Sequence, residues 1–189
     1  MIHSHLRMTG RLAGAAARLV IHRGDVEVVQ FKSPVLELMT ASRARLDQRL
    51  AGLGPDIVAA APFDEARFLR RLRDDDPTRT IGDALLDQNV VAGIGNVWKS
   101  EGCWLAGLDP WWAVGATSNA EALALVRAVR PLMQESAFHG HQERCRSIHG
   151  RAALPCPRCG LIRKRGQADG NHTTYRCPSC HARAMPQRS

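Results

Sequence analysis

Alternating apolar and polar positions open the chain and then give way to a helical spacing. The alternation predicts β-strands, because successive side chains of a strand point to opposite faces. The predicted strands cover residues 2–6, 18–22 and 26–31, with a hairpin turn at Gly24 and Asp25. Since two or three strands alone are marginally stable, this segment predicts part of a larger β domain whose partner strands the sequence does not obviously contain.

From about residue 43, apolar positions recur at spacings of three and four, which is typical of helices. The first helical pattern contains Leu46, Leu50 and Leu53 and stops at Gly54-Pro55. Asp64 can cap a second helix, whose buried side is predicted to hold Phe68, Leu69 and Leu72.

Two capping-box patterns predict further helix starts. Thr80 with Asp83 starts one helix, and Ser118 with Glu121 starts a long one. Pro131 is predicted to kink or restart the long helix, because proline lacks a backbone donor. The inward face of the long helix is predicted to be Ala122, Leu125, Val126, Val129 and Met133.

The run 90–96 interrupts the helical pattern with two glycines and predicts a helix, a glycine turn and a second helix. Backbone N–H groups at Gly93 and Gly95, unblocked by side chains, could meet an anion at the start of the second helix. Asn96 would add an amide donor. The alternative is that the glycines serve only packing.

Length and charge bound the class of protein. With 189 residues and 44% apolar composition, the chain can bury a core in one main domain with a small appendage. No apolar run approaches the roughly 20 residues of a bilayer span, and no secretory signal pattern opens the chain. We therefore expect a cytoplasmic, nucleoid-associated monomer without membrane contact.

The net charge is +8, and only three of the 26 basic residues are lysines. Arginine forks suit phosphate groups. A nucleic-acid partner is one reading of this charge, and a solvated basic surface is the other.

Four of the six cysteines form two C-x2-C pairs separated by seventeen residues, Cys156, Cys159, Cys177 and Cys180. Four thiolates in this spacing fill the tetrahedral shell of a structural Zn²⁺; an iron centre or free thiols are the alternatives. We leave the nearby His149, His172 and His181 out of the shell. Cys103 is predicted to lie in the core.

The residues between the cysteine pairs predict a basic β-hairpin, with strands at 162–165 and 173–176 and a turn at 166–171. A zinc ribbon of this kind can join proteins. The basic strands favour nucleic acid instead.

Two of these motifs resemble one known family. LLDQNVVAGIGNVWKSE (85–101) looks like the helix–two-turn–helix motif of the formamidopyrimidine-DNA glycosylase and endonuclease VIII family, and CPRCG with YRCPSC resembles its C-terminal zinc finger. HLRMTG and LGPD (53–56) resemble weaker landmarks. The resemblance implies an α+β fold with the remnant of an N-terminal β-sandwich (1–40), a connector (41–61), a helix–two-turn–helix domain (62–148) and a zinc finger (149–189).

The family resemblance also implies base excision repair by a DNA glycosylase and abasic-site lyase that flips an oxidised base out of double-stranded DNA. Met8 matches the position that fills the resulting gap. Asn96, with Gly93 and Gly95 beside it, would contact a phosphate. His172 stands where the family usually has a phosphate-binding Arg, so either a protonated His172 or a neighbour such as Arg176 takes that role.

The family's catalytic groups have no match in this sequence. Its nucleophile is an N-terminal Pro, assisted by an adjacent Glu and a hairpin Lys, whereas Ile2 matches no part of that motif and no Lys precedes Met8. We therefore expect this polypeptide to bind damaged DNA and to lack lyase activity. Either its start codon is assigned too far downstream or it is a shortened, noncatalytic binder; a zinc-ribbon protein-interaction module is the third possibility.

Overall fold

The computed structural model describes residues 2–5, 17–31, 35–74, 76–140, 146–166 and 173–181. The chain divides into two compact units, Met1–Gly52 and Leu53–Ser189. The division falls inside the segment 41–61, which the sequence predicts to be a connector. Within the described residues, none of the helices has the length and apolar character needed to cross a bilayer.

Where the structure describes the first unit, it contains two antiparallel strand pairs and two short helices. Its elements are β1 (Ile2–His5), β2 (Ala17–Arg23), β3 (Val26–Phe31), β4 (Val35–Leu38), α1 (Ala41–Leu46) and α2 (Gln48–Ala51). Strand β1 pairs with β4, and β2 pairs with β3 across the predicted turn at Gly24. The sequence pattern missed β4, which supplies a partner for β1.

The helical segment of this unit is broken where the leucine spacing predicts continuity. Asp47 has an extended backbone between α1 and α2, and its carboxylate accepts a hydrogen bond from Arg49 N at 2.9 Å. The aspartate therefore ends one helix and caps the next. Leu46, the last residue of α1, is 82% exposed.

The described residues of the second unit contain four α-helices. They are α3 (Glu65–Arg73), α4 (Ile81–Leu86), α5 (Asn96–Ala106) and α6 (Asn119–His139), with a 3₁₀ turn at Val114–Ala116. Asp64 caps α3 by accepting from Arg67 N, as predicted, and Phe68 and Leu72 are fully buried. Leu69 packs against the core while remaining partly exposed.

Helix α6 follows the sequence prediction in its start and in its buried face. Ser118 and Glu121 form the reciprocal capping box, and all five residues predicted to face inward are buried. The helix continues through Pro131, so the predicted restart does not occur. Cys103, on α5, is fully buried in the same core, and burial raises the pKa of its thiol to about 12.

The C-terminal part has two small strand pairs: β5 (Pro155–Cys156) with β6 (Gly160–Leu161), and β7 (Arg163–Gly166) with β8 (Thr173–Arg176). The pairing of β7 with β8 confirms the predicted hairpin. A separate small core lies beneath it, formed by Trp104, Ile148, Cys156, Ile162 and Cys177. This mixture of helices and strands confirms the α+β class.

Candidate nucleic-acid interface and metal centre

The glycine turn between α4 and α5 is held from inside by Gln88. Its side-chain Oε1 accepts from Gly93 N at 2.8 Å, and its Nε2 donates to Ile94 O at 3.0 Å. Gly93 has φ +103°, a conformation that favours glycine. Sequence reasoning missed Gln88, because an amide inside a turn carries no signal in the hydrophobic pattern.

A second support for the turn comes from the segment 54–57. Gly54 N donates to Gln88 O at 2.8 Å, and Ala92 N donates to Pro55 O at 3.0 Å. Asp56 and Ala92 form a parallel bridge. Most of these bonds are between backbone groups, so the turn is fixed independently of the exposed side chains.

Helix α5 begins without a side-chain cap. Each of the five other α-helices in the described part of the chain has one, supplied by Thr40, Asp47, Asp64, Thr80 and Ser118. At α5 the N-cap residue is Gly95, which is exposed and has no atom within 4 Å of where a Cβ would lie. The first-turn N–H groups of a helix lack intrahelical partners and carry the positive end of its dipole. This end of α5 therefore presents an open anion-binding geometry.

Asn96, the first residue of α5, contacts the C-terminal hairpin. Its Nδ2 donates to the carbonyl oxygen of Thr173 in β8 at 2.9 Å. Its Oδ1 is buried and has no hydrogen-bond partner among the described residues. The predicted phosphate donor thus also links the glycine turn to the hairpin.

Two further residues of α5 extend this contact along β8. Lys99 is fully buried, and its Nζ donates to Thr174 Oγ1 at 2.5 Å. Tyr175 N donates to Ser100 Oγ at 3.5 Å. Burial lowers the pKa of Lys99 to about 8, although Cys103 and Asp83 oppose that shift.

Glu101 anchors the segment that leads into the hairpin. Its carboxylate is 1% exposed and accepts backbone N–H groups from Ser147, Ile148 and His149 at 2.9, 3.0 and 2.8 Å. Such charge-assisted bonds are stronger than neutral ones. This role was not predictable from the sequence, because the two segments lie 46 residues apart.

Two arginines of the C-terminal module face α5 and the loop after it. Arg158 donates to Trp104 O at 2.8 Å and stacks 3.9 Å from the centroid of the Trp104 ring. Arg176, which the sequence nominates as a phosphate contact, forms an ion pair with Asp109. One third of the Arg176 side chain remains exposed.

The four cysteines of the two C-x2-C pairs come together. Their sulfur atoms lie within 4.8 Å of one another. Cys156 Sγ lies 3.7 Å from Cys180 Sγ, and Cys159 Sγ lies 3.6 Å from Cys177 Sγ. Cys159 Sγ also lies 2.9 Å from Cys180 Sγ, which is shorter than the edge of about 3.8 Å in a tetrahedron with metal–sulfur bonds of about 2.3 Å. The four sulfur atoms are nevertheless close enough together to hold one metal ion.

The thiols of this cluster differ in pKa. Burial acts to raise the pKa of Cys156, but hydrogen bonds from the backbone N–H groups of Arg158 and Cys159 lower it to about 6. Burial and hydrogen bonds from neighbouring thiols raise the pKa of Cys180. Four thiolates close together repel one another unless a cation lies between them. His181 is buried near this cluster but does not belong to the set that could share an ion.

Two of the DNA contacts proposed from the sequence lie outside the described residues. They are Met8, in the segment 6–16, and His172, in the segment 167–172.

A family model for the formamidopyrimidine-DNA glycosylase H2TH domain matches residues 53–146. A probable endonuclease 8 of Streptomyces coelicolor is 37% identical over 98% of this chain and 74% of its own length. The chain belongs to the formamidopyrimidine-DNA glycosylase and endonuclease VIII family. A DNA-(apurinic or apyrimidinic site) lyase of Mycolicibacterium smegmatis is 31% identical, over 95% of the chain and 74% of its own length.

Solved structures share the fold. The MutM (Fpg) protein of Thermus thermophilus superimposes with a TM-score of 0.76 at 26% identity, covering 95% of this chain and 74% of its own. A complex of Lactococcus lactis Fpg with DNA containing an abasic site gives a TM-score of 0.77 at 23% identity, covering 96% and 75%. The second likeness is one of fold alone.

Proposed function

We propose that this chain binds damaged double-stranded DNA in base excision repair, as part of a DNA glycosylase and abasic-site lyase. The observation that carries the proposal is the uncapped N-terminus of α5, joined by Asn96 to the hairpin of the basic four-cysteine module. A backbone phosphate takes the place of the missing cap. The relatives' names supply the reaction class.

The geometry of Asn96 allows both of its contacts at once. A side-chain amide nitrogen has two N–H donors. One is used by the Thr173 carbonyl, and the second is available for a phosphate oxygen beside the first-turn N–H groups of α5. The phosphate would then bridge the turn at Gly93 and Gly95 to the hairpin.

We further propose that the metal held by the four cysteines is a structural Zn²⁺. Four sulfur ligands leave no open coordination position, so the ion has no direct part in chemistry. Its function is to hold together the two C-x2-C turns, 156–159 and 177–180, between which the hairpin lies. Arg176 remains our candidate for a further phosphate contact, which it would make by leaving its ion pair with Asp109. His172 and Met8 remain candidates for DNA contacts on the basis of the sequence alone.

The test of DNA binding compares the parent with Asn96→Ala on a duplex containing a tetrahydrofuran abasic analogue. We expect Asn96→Ala to weaken binding about tenfold, with the melting temperature nearly unchanged. The slope of log affinity against log salt should also stay unchanged, because the amide carries no charge and its removal alters no counterion release. Asn89→Ala is the control, since Asn89 is exposed in the same turn and its side chain has no polar partner among the described residues. Equal affinity of the Asn96 variant and the parent would remove Asn96 from the interface.

Binding without cleavage is the second candidate function. It is the alternative kept from the sequence, in which no residue was matched to the reactive proline of the family motif. An amine nucleophile on the sugar forms an imine that borohydride traps. We expect the 189-residue polypeptide to shift abasic duplex as a monomer without trapping, and a trapped adduct would show that it is a lyase itself.

A further inference from the structure

One face of α5 contacts β8 residue by residue. Asn96, Lys99 and Ser100 lie three and four positions apart, which places them on the same side of the helix. They bond in order to Thr173, Thr174 and Tyr175, which follow one another along the strand. The helix therefore sets both the position and the register of the hairpin strand.

The hydrogen bond between Lys99 and Thr174 is the shortest of these three contacts. The Lys99 side chain has no exposed surface, and a buried ammonium carries a large desolvation cost. A hydrogen bond from a charged donor recovers part of this cost. Its partner, Thr174, is also fully buried, so the pair lies inside the interface between α5 and the hairpin.

The contact fixes the geometry of the neighbouring one. Thr173 precedes Thr174, and its carbonyl is the group that holds the Asn96 amide. A shift of β8 by one residue would turn the Thr174 side chain to the other face of the hairpin and withdraw the Thr173 carbonyl from Asn96.

We propose that Lys99 is a positioning residue for DNA binding, which by holding Thr174 orients the Asn96 amide and the hairpin toward one phosphate. The expected effect on DNA affinity rests on the proposed DNA-binding function. The orientation of the Asn96 amide by Lys99 does not, because it concerns only contacts within the protein, among Lys99, Thr174, Thr173 and Asn96.

The first experiment reads the structural part without DNA. Lys99→Met keeps the length and apolar stem of the side chain and removes the donor. We expect the side-chain amide signal of Asn96 in ¹⁵N spectra to shift and to lose protection from hydrogen exchange, with metal content unchanged. Thr174→Val should reproduce the effect, and Thr174→Ser, which keeps the hydroxyl, should not. An unaltered Asn96 signal in folded Lys99→Met would overturn the inference.

The second experiment measures affinity for the tetrahydrofuran duplex. We expect Lys99→Met to weaken binding about tenfold, and to have little further effect in an Asn96→Ala background, because it acts through that amide. Val129→Ala, a core truncation on α6, controls for loss of stability and should bind like the parent at temperatures where it is folded.

The outcomes separate the two proposals. A parent protein that does not bind DNA at low salt would overturn the proposed function, while the Asn96 signal would still decide the structural part. Full affinity of Lys99→Met, or effects of Lys99→Met and Asn96→Ala that simply add, would overturn the positioning role with the proposed function intact.

Discussion

A Cβ atom built on Gly54 would lie 2.4 Å from the carbonyl oxygen of Val90. The backbone of the LGPD segment thus passes directly against the turn between α4 and α5, and glycine is required there by space. Gly54→Ala should force the two backbones apart, breaking the Gly54 N to Gln88 O bond and lowering the free energy of unfolding by about 2–4 kcal/mol.

Urea unfolding measures the Gly54 effect. Gly95→Ala is the matched control, because no atom lies within 4 Å of its Cβ position and its φ of −109° suits alanine. We expect that control to cost at most about 1 kcal/mol, as alanine is a poor N-cap. An equal cost at the two positions would contradict the steric explanation.

The carboxylate of Glu101 holds the segment that precedes the C-terminal module. In Glu101→Gln, one acceptor oxygen becomes an NH₂ group that faces backbone N–H donors, leaving buried groups unsatisfied. We expect a loss of about 2–4 kcal/mol in the free energy of unfolding. Glu135→Gln, at an exposed position of α6, should change it by less than about 0.5 kcal/mol. Equal stability of the two variants would show that the Glu101 charge is unimportant.

The buried Lys99 predicts a pH dependence of stability. Burial lowers its pKa from the ordinary 10.5 to about 8 in the folded protein. Between these values the unfolded chain holds a proton that the folded chain lacks, so folding gains stability as pH rises from about 8 to 10.5. Below pH 8 the Lys99 amine is protonated in both states, so this gain in stability is absent and the free energy of unfolding no longer changes with pH through Lys99.

Lys99→Met isolates the contribution of this amine. We expect the difference in melting temperature, parent minus Lys99→Met, to be constant below pH 8 and to grow in favour of the parent up to pH 10.5. Cys103, Asp83 and all exposed groups are common to both proteins, so their titration largely cancels. A difference that stays flat over the whole range would place the Lys99 pKa near its ordinary value.

The four-thiol site predicts a specific loss of metal. Cys159→Ser should reduce bound zinc from about one ion per chain to none, because a neutral hydroxyl is a poor zinc ligand. Hydrogen exchange should then speed up in β5 and β6 while α6 keeps its protection. Cys103→Ala removes a thiol from the helical core and should retain the metal. Full zinc retention in Cys159→Ser would mean that the ligand set is wrong.

The local elements were largely predictable from sequence, because their causes lie within a few residues. The buried face of α6 follows from apolar spacing, and its start follows from Ser118 and Glu121. The breaking of the first helical segment at Asp47 was missed, because capping by its carboxylate outweighed the leucine spacing. Strand β4 was missed because its identity depends on pairing with β1, whose partner residues lie 30 to 36 positions earlier in the sequence.

The candidate site divides in the same way. Cysteine spacing indicated the metal ligands, and the two glycines indicated the turn, since both depend on short stretches of chain. The roles of Gln88, Glu101 and Lys99 were not predictable, because each acts on a backbone or side-chain group brought to it by folding. Arg176 is a different case. The sequence suggested it as a phosphate contact, whereas in the folded protein it forms an ion pair with Asp109.

By itself, the sequence determined the family, the four thiols and the uncapped glycine start of α5, because these are properties of residue type and short-range spacing. Only the tertiary structure decided that α5 binds the hairpin strand through Asn96, Lys99 and Ser100. The physical reason is that hydrogen bonds between distant segments depend on where the packed core places them.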